Sequence, residues 1–288
     1  MKEDAMNNGQ TKPGYNVQIG TENQYITNFG LYWNPGDTTT LSSLLTLGYA
    51  RFGKLPDTLC ADAGYGSEQN YELLERLGIQ AYVKYNWFHK EEHASFKKNP
   101  FLIDNLYYNP IDNYYVCPMG QHMIYTGKKI KVSDNGYKST VHCYRAQHCQ
   151  NCPLKGGCTK AQGNRIIEVN YKLAAYKSKA KELLTSDKGR EHRSKRPVEP
   201  EAVFGQMKFN KQYKRFRHVG MEKVQMDFAI FVMAFNLQKL IRRCASKPAK
   251  KNCATKYASK QTNRSKIEMK IINNHKYYKI QEAVKNAA

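Results

Sequence analysis

The stretch LCADAGYGSE, residues 59–68, decides how the chain is read. A short apolar run, Thr58-Leu59-Cys60-Ala61, stops at Asp62 and gives way to small residues and Gly64. An amphipathic pattern then begins, with Tyr71, Leu73, Leu74 and Leu77. The run IQAYVKY follows this helix, so the order strand, helix, strand predicts an α/β sheet covered by helices, with Cys60 buried in its strand. Ligands gather at the carboxyl ends of strands in such sheets. A carboxylate there suits a hard cation bound by oxygen, and Gly64 lets the chain turn sharply beside it. Asp62 could instead cap the next helix, but Ser67 already offers that cap.

Outward from this unit, YNVQIGTENQYI and TNFGLYW alternate like the strands of a hairpin. Asp37 is an N-cap or near-cap for the helix TTTLSSLLTLGYARF. After Tyr85 the character changes: residues 86–163 hold aromatics, Asn, Gly, Pro and five cysteines, with strand-like NLYYNP and NYYVCP, and read as a small inserted module. RIIEVN is a strand, YKLAAYKSKAKELLTSDKGREHRSKR a basic helical segment and PEAVFGQMKFNKQYKRF a second helix. VQMDFAIFVMAFNLQKLIRR is apolar nearly all round and is expected to be buried. The expected divisions are 14–85 and 164–243 for the main α/β domain, 86–163 for the insertion and 245–288 for a disordered basic tail.

The formal net charge of +22 over 288 residues points to a polyanionic partner, most simply nucleic acid. KFNKQYKRFRH at 208–218 sets basic residues beside aromatics, a pattern that grips phosphates and splayed bases but equally makes a solvated helix face. No apolar run reaches the roughly 18 residues that span a bilayer, and MKEDAMNNGQTKPG lacks the apolar core of a signal peptide. The expectation is a cytoplasmic, nucleoid-associated protein with reduced thiols, whose eight cysteines suggest metal before disulfides.

Cys149, Cys152 and Cys158 give C-x2-C-x5-C, and Cys117-Pro118-Met119-Gly120 resembles half of a zinc knuckle. Four thiolates, Cys117, Cys149, Cys152 and Cys158, can close a tetrahedral structural zinc site, with Cys143, His142 and His148 as alternates. The other reading is a set of reduced, unliganded thiols. Cys244 and Cys253 lie near or in the tail.

RPVEPEAVFGQMK offers Glu199 and Glu201 at a helix start. At about 100° per residue Glu201 and Lys208 fall about 20° apart, beside an apolar stripe of Val203, Phe204 and Met207. A carboxylate and a lysine on the margin of a packing face can meet a phosphate at a metal. Glu199 lies farther round and favours the helix N-terminus.

ADAGY at 61–65, the E-x6-K of EAVFGQMK, the basic segment after it and AFNLQKL at 234–240 together resemble the DDE transposases of bacterial insertion sequences. The resemblance runs from GYNVQ at 14–18 to residue 240, and the cysteine-bearing insertion resembles one group of them. It implies an RNase H-like catalytic domain, a mixed sheet flanked by helices, with a zinc-ribbon-like insertion. It implies that Asp62 and Glu201 are two of three carboxylates holding Mg²⁺ or Mn²⁺ for two-metal DNA cutting and joining. Lys208 would contact DNA at the transposon end, and a homodimer would form in the synaptic complex. The family's Tyr-x2-Arg-x3-Glu spacing is not kept, since Ser194 and Pro197 occupy its positions. Arg193 and Arg196 are the substitutes, with Lys214 and Arg215 as further DNA contacts. The first aspartate belongs on a strand ahead of GYNVQ, where only polar MKEDAMNNGQTKP stands and Asp4 is a poor candidate. The expectation is an N-terminally truncated, inactive transposase fragment; the alternative is a non-enzymatic nucleic-acid-binding zinc protein.

Overall fold

The computed structural model describes residues 2–3, 11–12 and 14–245. Asp4, Cys253 and the expected tail from residue 246 onward lie outside the described residues. Among the described residues, 57–190 form one compact unit, and 14–56 with 191–245 form another.

In the second of these, Asn16–Glu22 and Tyr25–Tyr32 pair as the expected antiparallel hairpin, in register from Asn16↔Tyr32 to Glu22↔Tyr25. Asn23 and Gln24, at φ 52° and 62°, supply the left-handed pair that a tight hairpin turn requires. The next helix, Leu41–Phe52, ends at Gly53, whose φ of 66° makes it a glycine C-cap. Asp37 does not cap this helix with its side chain. Its Oδ1 accepts from Asn16 Nδ2 at 2.9 Å and Gln18 Nε2 at 2.7 Å, because those hairpin amides are buried and need acceptors. Only the Asp37 carbonyl serves the helix start, accepting from the Thr40 amide and hydroxyl.

The helix of the glutamates runs through Pro197–Glu201 as a π-turn, Ala202–Gly205 as α and Gln206–Asn210 as a second π-turn. It ends at Asn210, short of the expected Phe216. Gln212 turns left-handed at φ 55°, and Tyr213 packs on Phe216, Phe228 and Phe231. A 25-residue helix, Met221–Ala245, closes the unit. Ile26 and Phe29 of the hairpin, Val203 and Met207 of the glutamate helix, and Phe228, Val232 and Phe235 of the last helix share one core. Asn236 clamps the hairpin to that last helix by bonding both the amide and the carbonyl of Ile26 at 2.9 Å. The last helix is not buried all round: Met226, Ile230, Met233 and Leu237 are exposed. One face satisfies the core, so the other is left outside it.

In the unit 57–190, Thr58–Ala61 and Gln80–Val83 pair in parallel around the helix Glu68–Arg76, as the alternation predicts. Cys60 is nevertheless exposed: among the described residues its strand pairs with one other only. Among the described residues no single mixed sheet joins this pair to the hairpin at 16–32. The larger sheet is antiparallel throughout, in the order Ile166–Val169, Lys138–Ala146, His122–Val132, Tyr114–Val116, Tyr107–Asn109. It therefore takes in RIIEVN, beyond residue 163. Its core is Tyr115, Met123, Tyr144, Ala146, Ile167 and Val169. The buried Tyr144 hydroxyl meets Asn113 Oδ1 and the Tyr171 hydroxyl, each at 2.7 Å. Burial and the Tyr171 hydroxyl push its pKa well up.

The basic segment forms Tyr171–Thr185 and Asp187–Lys195, broken at Ser186. Its lysines are partly spent within the unit. Lys172 pairs with Glu72 at 3.0 Å, Lys179 with Glu75 at 2.6 Å and Lys181 with Glu91 at 3.2 Å. The Tyr137 hydroxyl donates to Glu72 at 2.7 Å, docking the tip of the long hairpin on the Glu68–Arg76 helix.

Candidate active site and cysteine cluster

Asp62 directly follows the strand Thr58–Ala61 and is exposed. Its Oδ1 accepts from the Ala63 amide at 2.6 Å, capping a short 3-10 turn over Ala63–Tyr65. Ser67 caps the longer helix, accepting from the Asn70 amide at 3.3 Å. Asp62 thus ends a strand and caps the short turn beyond it, while the longer helix is capped by Ser67. Gly64 has no left-handed φ. The glycine the site requires is Gly66, where a Cβ would stand 2.3 Å from the Lys84 carbonyl oxygen and 2.8 Å from Tyr85 Cα. The second strand thus passes tightly against the turn that carries Asp62. The signal for Gly66 was present, as the second glycine of ADAGYGS, but nothing local says which glycine meets another strand.

Glu201 is held from below by Val203 and Met207, both buried. Its Oε1 lies 3.5 Å from Arg196 Nη2, with the glutamate side chain 56% exposed. Lys208 lies with its ammonium 5.7 Å from the Phe204 ring centroid. The intervening π-turn at Gln206–Asn210 departs from a uniform 100° per residue, so the expected 20° offset from Glu201 does not carry over. Glu199 does not serve the helix N-terminus. Its Oε2 accepts from the Gln24 amide at 2.8 Å, tying the hairpin turn to this helix. Lys239 donates to Gln24 Oε1 at 2.8 Å, and burial lowers its pKa, against the opposing pull of Glu199. Arg193 is half-buried; Lys214 and Arg215 are exposed, with the Lys214 ammonium 5.8 Å from the Phe209 ring. Asp62 belongs to one compact unit and Glu201, Lys208 and the arginines to the other.

The cysteines behave as a group. Cys117, Cys149, Cys152 and Cys158 all line one cavity of about 20 Å³, together with His148 and Arg165. That is room for a single water-sized occupant. Cys143 and His142 do not line it. They sit on the strand Lys138–Ala146, where the His142 ring packs on Tyr171. The turn at Cys117 is closed by Gly120, at φ 78°, whose amide donates to the Cys117 carbonyl at 2.8 Å. Arg165 is the residue the sequence did not mark. It is buried, its amide donates to Cys149 Sγ at 3.4 Å, and its Nη1 donates to Cys158 Sγ at 3.1 Å. Its Nη2 donates to the Phe101 carbonyl at 2.5 Å. Among the described residues no three His, Cys, Asp or Glu side chains form a group that could hold a metal ion.

A family model described as a transposase DDE domain matches residues 116–241. The matched stretch includes Cys117, Cys149, Cys152 and Cys158, then Glu201 and Lys208; it begins after Asp62. No curated protein and no solved structure matches the chain.

Proposed function

We propose that this chain is a portion of the RNase H-like catalytic domain of a DDE transposase, a class of enzyme that cuts and joins transposon DNA. The observation that carries this is a family match that takes in Cys117, Cys149, Cys152, Cys158 and the glutamate helix in one piece, with Glu201 seven positions ahead of Lys208. Asp62, exposed at the end of its strand, supports it independently. Asp62 and Glu201 are the residues that would hold Mg²⁺ or Mn²⁺, which when bound supplies charge stabilisation for phosphoryl transfer. Lys208, Arg193, Arg196, Lys214 and Arg215 would contact DNA phosphates, with Arg196 leaving its contact to Glu201 for one of them. The net charge of +22 fits a DNA partner and a place at the nucleoid.

Zinc is the structural part of this reading, held by Cys117, Cys149, Cys152 and Cys158. Its support is the gathering of all four around one cavity, with the amide of Arg165 on a sulfur. Ligation requires the four sulfurs to turn inward, and a closed thiolate site would hold together a module whose own core is small.

Calorimetric titration of the zinc-loaded protein with Mn²⁺ tests the catalytic reading. Asp62→Ala and Glu201→Ala are each expected to abolish the same binding event. Mn²⁺ binding that survives both would refute it, and bound zinc with no such event would favour the non-enzymatic nucleic-acid-binding protein.

A further inference from the structure

Arg165 is 8% exposed, yet among the described residues its guanidinium bonds only Cys158 Sγ and the Phe101 carbonyl, and no carboxylate. Among the described residues no Asp or Glu lines the cavity it faces. A buried cation without an anion is strongly destabilising, and a neutral thiol is too weak an acceptor to balance one. The backbone sets the side chain there. Arg165 precedes the edge strand Ile166–Val169, its carbonyl accepts from the Ala146 amide at 2.9 Å, and its amide donates to Cys149 Sγ. Asn164 Oδ1, one residue earlier, accepts from the Cys149 amide at 3.0 Å. One end of this strand therefore fixes both the cysteine turn and the arginine beside it. Lys155, which also lines the cavity, donates instead to the Gln162 carbonyl at 2.7 Å.

The lining groups able to become anionic are Cys117, Cys149, Cys152 and Cys158. A zinc ion taken up by them displaces the proton of each thiol to solvent. The ion with its four thiolates is a formal dianion, so the guanidinium gains the counter-charge that neutral thiols withhold. We propose that Arg165 is the positioning residue of this four-thiolate site: its guanidinium offsets part of the thiolate charge and holds Cys158 Sγ for the ion. Its N–H bond to Cys158 becomes charge-assisted once that sulfur is a thiolate. The role of Arg165 rests on the zinc reading and goes beyond it, since four cysteines alone do not call for a buried cation.

Zinc titration of the full chain against a chromophoric chelator, under reducing conditions, is the first measurement. Arg165→Met should bind zinc about 10- to 100-fold more weakly than the wild type. Arg165→Lys keeps the charge without the planar fork and should recover part of that loss. Arg165→Met also forfeits the Phe101 bond, but it does so with and without zinc. A cost to folding alone would lower the denaturation midpoint equally in both states, whereas the proposal requires the larger fall in the zinc-loaded one. The wild type carries its own check, because an N–H donor on a thiolate lowers its nucleophilicity. With limiting N-ethylmaleimide on the zinc-loaded chain, Cys158 should be alkylated after Cys117 and Cys152, as read from peptide masses. Equal zinc affinities of wild type and Arg165→Met, equal falls in midpoint, or first attack at Cys158 would each overturn the role of Arg165 while leaving zinc in place. A wild-type chain that takes up no zinc would refute the zinc reading itself, and this role with it.

Discussion

Val203→Ala tests what positions Glu201. Val203 is fully buried, two residues beyond Glu201, in a core shared with Ile26, Phe29, Met207 and Phe228. Removing its two methyl groups loses about 1.6 kcal/mol at about 0.8 kcal/mol for each, and the cavity left behind raises the cost to about 2–3 kcal/mol. Opening of the helix across 201–210 should then become roughly 30- to 150-fold more frequent. Hydrogen exchange followed by mass spectrometry on peptides covering these residues reads that change directly. Val198→Ala is the control: Val198 lies on the same helix but is 53% exposed, and its loss should stay within about 0.5 kcal/mol. If Val203→Ala accelerated exchange no more than Val198→Ala, the glutamate helix would not be held by this core and the placement of Glu201 would be wrong.

Gly66→Ala should destabilise the unit 57–190 and disturb the Asp62 turn, because the new methyl meets strand backbone and not a movable side chain; an unchanged denaturation midpoint would contradict this. The same unit should lose stability in acid. The Lys131 ammonium, bonded to Glu168, holds that carboxyl below its ordinary value of 4.5, and at Glu72 burial pulls upward but the Tyr137 and Lys172 bonds prevail. Depressed carboxylate pKa values contribute stability that is full above about pH 4.5 and lost as pH falls through the folded values, so Glu168→Gln should flatten the pH dependence there. DNA binding should weaken steeply with salt, and Lys208→Ala should reduce the slope of log affinity against log salt by about one; a slope unaffected by Lys208 would remove it from the interface.

Local rules carried much of the fold. The hairpin at 16–32, the strand–helix–strand unit and the Ser67 cap all follow from alternation, turn residues and capping chemistry within a few residues of each other. The Val203 and Met207 stripe was legible for the same reason. What could not be read was set by distant partners. Asp37 turned from its helix to two buried amides, Glu199 to the Gln24 amide, and Tyr213 pulled the chain out of its helix to join an aromatic cluster. Cys60 is exposed, on a strand that pairs with one other only among the described residues, which composition alone does not reveal. Arg165 carried no motif, so only the folded sheet shows it against Cys158.

The proposed function requires both Asp62 and Glu201 to serve as ligands of a divalent ion. Fe²⁺ bound in place of Mg²⁺, with ascorbate and peroxide, generates hydroxyl radicals that cut the chain beside its ligands. The account predicts two cuts, one next to Asp62 and one next to Glu201, both suppressed by excess Mg²⁺ and both lost in Asp62→Asn. Cutting beside only one of them, or cutting at Glu201 that persists in Asp62→Asn, would contradict it.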